Sequence, residues 1–232
     1  MSERANGPRQ LPLVLPHEAA RGREDFLHGA SNEAAFRFID SWPNWAAPVA
    51  ILAGPVGVGK THLVNVWHEA SGCAVIAASD LTGDKVSELV EAGAVAVEDA
   101  HEGLDENALF HLLNAARERG ALVLVTARTW PRSWGLKLPD LASRLRAATP
   151  IEMAEPDDDL LRRVLVKLFA DRQVFVDPAV IEFLAVRMER SIAAAQVLVD
   201  ALDRAALSVG RRITRPLAAE VLEAMEGESR QG

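Results

Sequence analysis

Val49-Ala50-Ile51-Leu52-Ala53 runs straight into Gly54-Pro55-Val56-Gly57-Val58-Gly59-Lys60-Thr61, and this stretch decides the fold. The apolar residues read as a short buried strand. Gly54–Thr61 fits G-x-x-x-x-G-K-[ST], the loop that cradles phosphates between a strand and a helix. Glycines let the backbone curl so that its amide hydrogens point inward, and the helix N-terminus adds positive potential. In this arrangement Lys60 reaches the terminal phosphates of a nucleotide, ATP or ADP, and the Thr61 hydroxyl ligates Mg2+. Thr61 to Ala70 continues as helix.

On both sides the same alternation holds. A helix is expected over Ser31–Trp42, with Ala35, Phe36 and Ile39 on one side and Ser31 or Asn32 as its cap. Downstream come strands at Cys73–Ala77, Ala94–Val97 and Ala121–Val125, separated by helices at Lys85–Glu91 and Asn107–Arg119. Continuously apolar strands between helices predict an α/β core with a parallel sheet covered on both faces. From about Asp157 only helical periodicity is found: Asp159–Asp171, Pro178–Glu189, Ser191–Val209 and Pro216–Glu226. The expected organisation is an N-terminal segment at 1–24, an α/β nucleotide-binding domain at 25–154 and a small all-helical lid at 155–232. Residues 1–9 are polar and expected to be disordered, and the proline-rich Gln10–Pro16 is expected to be extended.

A Mg2+–nucleotide site also needs acid at the end of a neighbouring strand. Glu98 and Asp99 supply it, one to hold the hydrated Mg2+ and the other to orient or deprotonate water. Thr126, closing the next strand, is placed to touch the γ-phosphate or that water.

The bulk properties narrow the partners. A net charge of −8 argues against broad electrostatic binding to nucleic acid, which needs a basic face, so DNA contact is expected to be mainly indirect. No run approaches the roughly 18 apolar residues of a membrane span, and Cys73 stands alone, which fits a reduced, cytoplasmic setting. His62, His68, His101 and His111 lack zinc-ligand spacing.

In these motifs the chain resembles the DnaA-related AAA+ P-loop family. Gly54–Leu63, with Thr61-His62-Leu63 closing the loop, is similar to the initiator loop, which implies that His62 joins the nucleotide site. Phe26-Leu27-His28-Gly29-Ala30-Ser31-Asn32 resembles the segment that cradles adenine, implying roles for Phe26 and Asn32. Leu138–Leu145 resembles the segment carrying the arginine finger, which falls on Arg144, with Arg146 a weaker rival. Gly210–Thr214 resembles the close of the lid.

The chain shows no counterpart of the initiators' DNA-binding or helicase-interacting domains, and in this it looks like the Hda-type regulators of DnaA. In that family a short N-terminal motif binds the sliding clamp, the β subunit of DNA polymerase III. Gln10-Leu11-Pro12-Leu13-Val14-Leu15 fits it, with Leu11, Leu13 and Leu15 for an apolar groove and Gln10 hydrogen-bonding at one end. The resemblance implies a negative regulator of replication initiation that, bound to the clamp, stimulates hydrolysis of DnaA-bound ATP through Arg144 acting in trans. A second copy of this chain is a further candidate partner.

Three departures qualify it. Glu98 stands where the initiators have an aspartate, one methylene shorter, which predicts weak or absent hydrolysis by the chain itself. The lid position of the family's sensor arginine falls on Ala193, with Arg190 one turn earlier as a candidate substitute, so a response to diphosphate more than triphosphate is expected. Val125-Thr126-Ala127-Arg128 matches the sensor strand only loosely. The alternatives are a helicase-loader-like ATPase contacting single-stranded DNA and a small-molecule kinase. The kinase reading needs an arginine-rich lid before residue 150 that Arg117, Arg119, Arg128 and Arg132 do not provide.

Overall fold

The computed structural model describes residues 22–209 and 212–229, and Gln10–Leu15 and Gly210-Arg211 lie outside them. Among the described residues, β1 (Val49–Ala53), β2 (Ala74–Ala77), β3 (Ala94–Glu98), β4 (Leu122–Ala127) and β5 (Thr149–Glu152) form one sheet. Its order is β2-β3-β4-β1-β5 and every pair is parallel. α1 (Glu33–Asp40), α2 (Lys60–Ser71), α3 (Val86–Glu91), α4 (Glu106–Arg119) and α5 (Pro139–Ala147) surround it. The helical lid comprises α6 (Asp158–Asp171), α7 (Pro178–Ala185), α8 (Ile192–Val209) and α9 (Arg215–Ser229).

The central strands are apolar on both faces because both are covered. Val95, Val97, Val123 and Val125 pack into one layer with Leu109, Leu112 and Leu141. Ala50, Leu52, Ala96 and Leu124 face the other, with Leu63, Val64 and Trp67 of α2. Each fully buried aliphatic side chain contributes about 1.5–3 kcal/mol, so the sheet centre is the most strongly held part of the core. The lid has its own core, built on Leu160, Leu161, Leu165, Leu184, Leu198 and Leu202.

Two elements differ from expectation. β5 carries Pro150 and alternates buried with exposed residues, so it has no apolar run; at the sheet edge a missing N–H is tolerated. α7 ends at Ala185, four residues before the expected Glu189, because the Arg187 and Met188 amides converge on the Leu184 carbonyl and turn the chain. That turn delivers Ser191 to the phosphate loop. Acidic residues cap two of the lid helices: Asp157 accepts the Leu160 amide and Asp177 the Ala179 amide.

Candidate functional site

The parallel strands all end on one edge, and β1, β3 and β4 bring their C-terminal ends to one cleft of about 360 Å³. That volume suits a small-molecule ligand. The loop between β1 and α2 forms one wall, residues Asp25, Phe26 and Leu27 another, and α6 with the start of α8 the roof.

Within the loop, Lys60 is buried and its ammonium donates to the Gly54 and Pro55 carbonyls, both at 2.7 Å. Burial lowers the Lys60 pKa; Asp99 and Glu98 oppose that drop, and Arg128 adds to it. Gly54 is required by a close approach, since a Cβ there would lie 2.3 Å from the Met153 carbonyl oxygen. Gly57 has φ +74°, and a Cβ there would lie 2.3 Å from the Ser191 hydroxyl. Its carbonyl accepts the amides of Ile192, at 2.9 Å, and Ala193, at 3.1 Å. Ser191 caps α8 by accepting the Ala194 amide at 3.0 Å. The first free amides of α8 are thus satisfied by the phosphate loop itself, and the lid closes directly on it.

Of the two acids, Asp99 lines the cleft and Glu98 is set back, half-buried. Asp99 adopts φ 54°, a left-handed conformation that Asp tolerates better than most residues. The Thr126 hydroxyl accepts the Asp99 amide at 3.1 Å, and the Thr126 carbonyl accepts the Ala100 amide at 2.9 Å. Thr126 is thus buried and fastens Asp99 at the cleft edge. Asn32 is likewise buried: its side chain accepts the Gly29 amide and donates to the Leu27 carbonyl, shaping the segment and not the ligand surface. Phe26 and His62 do reach the cleft, their rings meeting edge-on at 5.1 Å, and the His62 Nε2 sits 3.1 Å from the Gly22 carbonyl.

Ala193 lines the cleft beneath the lid. Arg190 does not: its guanidinium pairs with Asp158 at 2.8 Å at the start of α6, because the turn after α7 points Ser191, not Arg190, at the loop. Two cleft residues are not among the expected site residues. Lys167, on α6, bridges to Asp25 at 2.8 Å and Asp171 at 2.9 Å; burial pulls its pKa down, but those carboxylates outweigh it and raise it. Arg128 comes directly after β4 and faces the same space as Lys60 and Asp99.

Arg144 stands apart from this cleft. It lies on α5 with its guanidinium 4.8 Å above the Phe110 ring of α4. Glu106 of α4 accepts the Lys137 and Leu138 amides at the start of α5, which fixes the two helices together.

The sheet order, the loop and the lid are those of AAA+ proteins. The fold is similar to domain III of the Thermotoga maritima replication initiation protein DnaA, with TM-score 0.73 and 18% identity over 88% of this chain and 96% of that one. It is similar to AMPPCP-bound DnaA from Aquifex aeolicus, with TM-score 0.65 and 18% identity over 78% and 64% of the two chains. The Thermotoga maritima RuvB Holliday junction branch migration motor shares it too, at TM-score 0.70 and 20% identity over 89% and 72%. The chain thus has an AAA+-like fold, a parallel sheet followed by a helical lid. Residues 158–222 match the family described as Hda, lid domain. The lid is thus similar to that of the Hda family, on a fold similar to that of DnaA domain III. Among the described residues no helix is long and apolar enough to cross a membrane.

Proposed function

We propose that the chain is a nucleotide-switched negative regulator of replication initiation, which docks on the DNA polymerase III sliding clamp and stimulates hydrolysis of ATP held by DnaA. The observation that carries this reading is the separation of two features. One is a cleft with a phosphate loop and a lid; the other is an arginine that does not line that cleft. Half-exposed on α5 and held by Phe110, Arg144 is suited to reach a nucleotide on another protein, where a guanidinium stabilises charge on the transferring phosphoryl group.

In the chain's own site, Lys60 and the loop amides bind phosphate, and Phe26, Leu27 and Val164 cover the base end. The AMPPCP of the Aquifex aeolicus DnaA supports an adenine nucleotide here. Thr61 and Asp99, with Glu98 behind, are the oxygen donors that would hold Mg2+, which would neutralise phosphate charge. Of the two strand-end acids it is Asp99 that faces the cleft, which fits weak intrinsic hydrolysis, so the nucleotide acts as a conformational ligand of the lid. Gln10, Leu11, Leu13 and Leu15 provide the clamp contact.

The test is capture of purified sliding clamp by the full-length protein. Gln10→Ala with Leu11→Ala is expected to abolish capture and leave nucleotide binding intact, while Lys60→Ala does the reverse. No capture by the unaltered protein contradicts the regulator reading.

A further inference from the structure

Arg144 is carried by a helix whose own start is weakly defined. Leu138 offers α5 no side-chain cap, and Pro139 brings no amide hydrogen. Leu141 and Leu145 bury α5 against the core. Apolar packing is non-directional, so it seats the helix without fixing its position along its own axis.

α4 supplies what α5 lacks. The first amides of α4 are served by Asp105, whose side chain accepts from Asn107 and Ala108. Glu106, the next residue, is not needed for that and faces α5. Its Oε1 accepts the Lys137 amide at 2.9 Å, while its Oε2 accepts the Lys137 amide at 3.0 Å and the Leu138 amide at 2.7 Å. Hydrogen bonds to a carboxylate are strong and directional, and these hold the two residues that lead into α5. Phe110 follows Glu106 by four residues, one turn along the same side of α4, and its ring lies 4.8 Å beneath the Arg144 guanidinium. One side of α4 thus grips α5 twice, at its entry and under its arginine.

We propose that Glu106 is a positioning residue for Arg144: its carboxylate fixes the entry of α5 and so sets where the guanidinium stands when it meets a nucleotide on another protein. The inference rests on the reading of Arg144 as acting in trans. Stabilising charge on a transferring phosphoryl group needs the guanidinium in the right place, and a misplacement of about 1 Å can cost about a hundredfold in rate. Without the Glu106 carboxylate, α5 can shift over Leu141 and Leu145. The cost then falls on the assisted step and not on docking.

Stimulation of DnaA ATP hydrolysis, titrated with the full-length protein on DNA-loaded sliding clamp, separates the two. The half-saturating concentration reports docking, and the plateau rate reports the arginine. Glu106→Ala is expected to lower the plateau about tenfold, with the half-saturating concentration and nucleotide binding unchanged. Glu106→Asp keeps the charge but withdraws it by one methylene, and it should lower the plateau too. Glu106→Gln should restore most of it, because a single oxygen in the Oε2 place can accept both amides. A full plateau with Glu106→Ala and Glu106→Asp, a raised half-saturating concentration at unchanged plateau, or no recovery with Glu106→Gln overturns the inference. Arg144→Ala at the unassisted rate then leaves the reading of Arg144 standing. If the unaltered protein gives no stimulation, or Arg144→Ala stimulates as well as it does, that reading falls and the inference with it.

Discussion

The carbonyl of Gly57 accepts the amide of Ala193 at 3.1 Å, so phosphate loop and lid meet backbone to backbone. The Ile192 amide joins the same oxygen, and the Ser191 side chain closes over the loop. A change in the loop's shape on binding phosphate therefore acts on α8 directly, without an intervening side chain.

Gly57→Ala should break this contact. Its Cβ would meet the Ser191 hydroxyl and the Ala193 Cβ, at a φ of +74° that alanine adopts poorly. Strain of this kind costs about 1–3 kcal/mol. Thermal unfolding should show a lowered midpoint and greater protease sensitivity in the lid. An unchanged midpoint would mean that lid and loop are not coupled there.

Lys60 gives a pH signature. Burial holds its folded pKa below the ordinary 10.5. The charged form is thus disfavoured in the folded protein, a cost that is present at neutral pH and relieved as pH rises through the lowered value toward 10.5. A bound phosphate adds a counter-charge and raises that pKa again. Nucleotide binding should then take up protons in the window between the lowered value and 10.5. Titration calorimetry in two buffers of different ionisation enthalpy measures it, and equal heats in the two buffers across this window would contradict it.

Phe110 is expected to position Arg144. A cation–π contact at a partly exposed site contributes about 0.5–1 kcal/mol. Phe110→Leu keeps an apolar side chain against α5 but removes the ring face. It should lower stimulation of DnaA ATP hydrolysis about two- to fivefold, with nucleotide and clamp binding unchanged. Stimulation equal to the unaltered protein would remove Phe110 from this role.

The fold is legible in the sequence where local chemistry and tertiary context agree. Strands β1, β3 and β4 are apolar because both faces are covered, and the loop at Gly54–Thr61 announces its own geometry. β5 is not legible, because an edge strand with Pro150 has neither the run nor the propensity. In the site, residue type is a poorer guide than bonding. Thr126 and Asn32 have the polar groups a ligand needs, yet they use them on the Asp99, Gly29 and Leu27 backbone. The choice of Asp99 over Glu98 depends on one left-handed φ at the strand end. Lys167 enters the cleft through packing between distant segments, and Arg190 leaves it because α7 stops early, which no local pattern encodes.

The central claim is that Arg144 acts on ATP bound to DnaA and not on the chain's own nucleotide. A reconstituted reaction measures it most directly: hydrolysis of DnaA-bound ATP with DNA-loaded sliding clamp, comparing no addition, the unaltered protein and Arg144→Ala. The unaltered protein should accelerate hydrolysis, and Arg144→Ala should return it to the unassisted rate while still binding nucleotide and clamp. Acceleration that survives Arg144→Ala, or none from the unaltered protein, would contradict the claim.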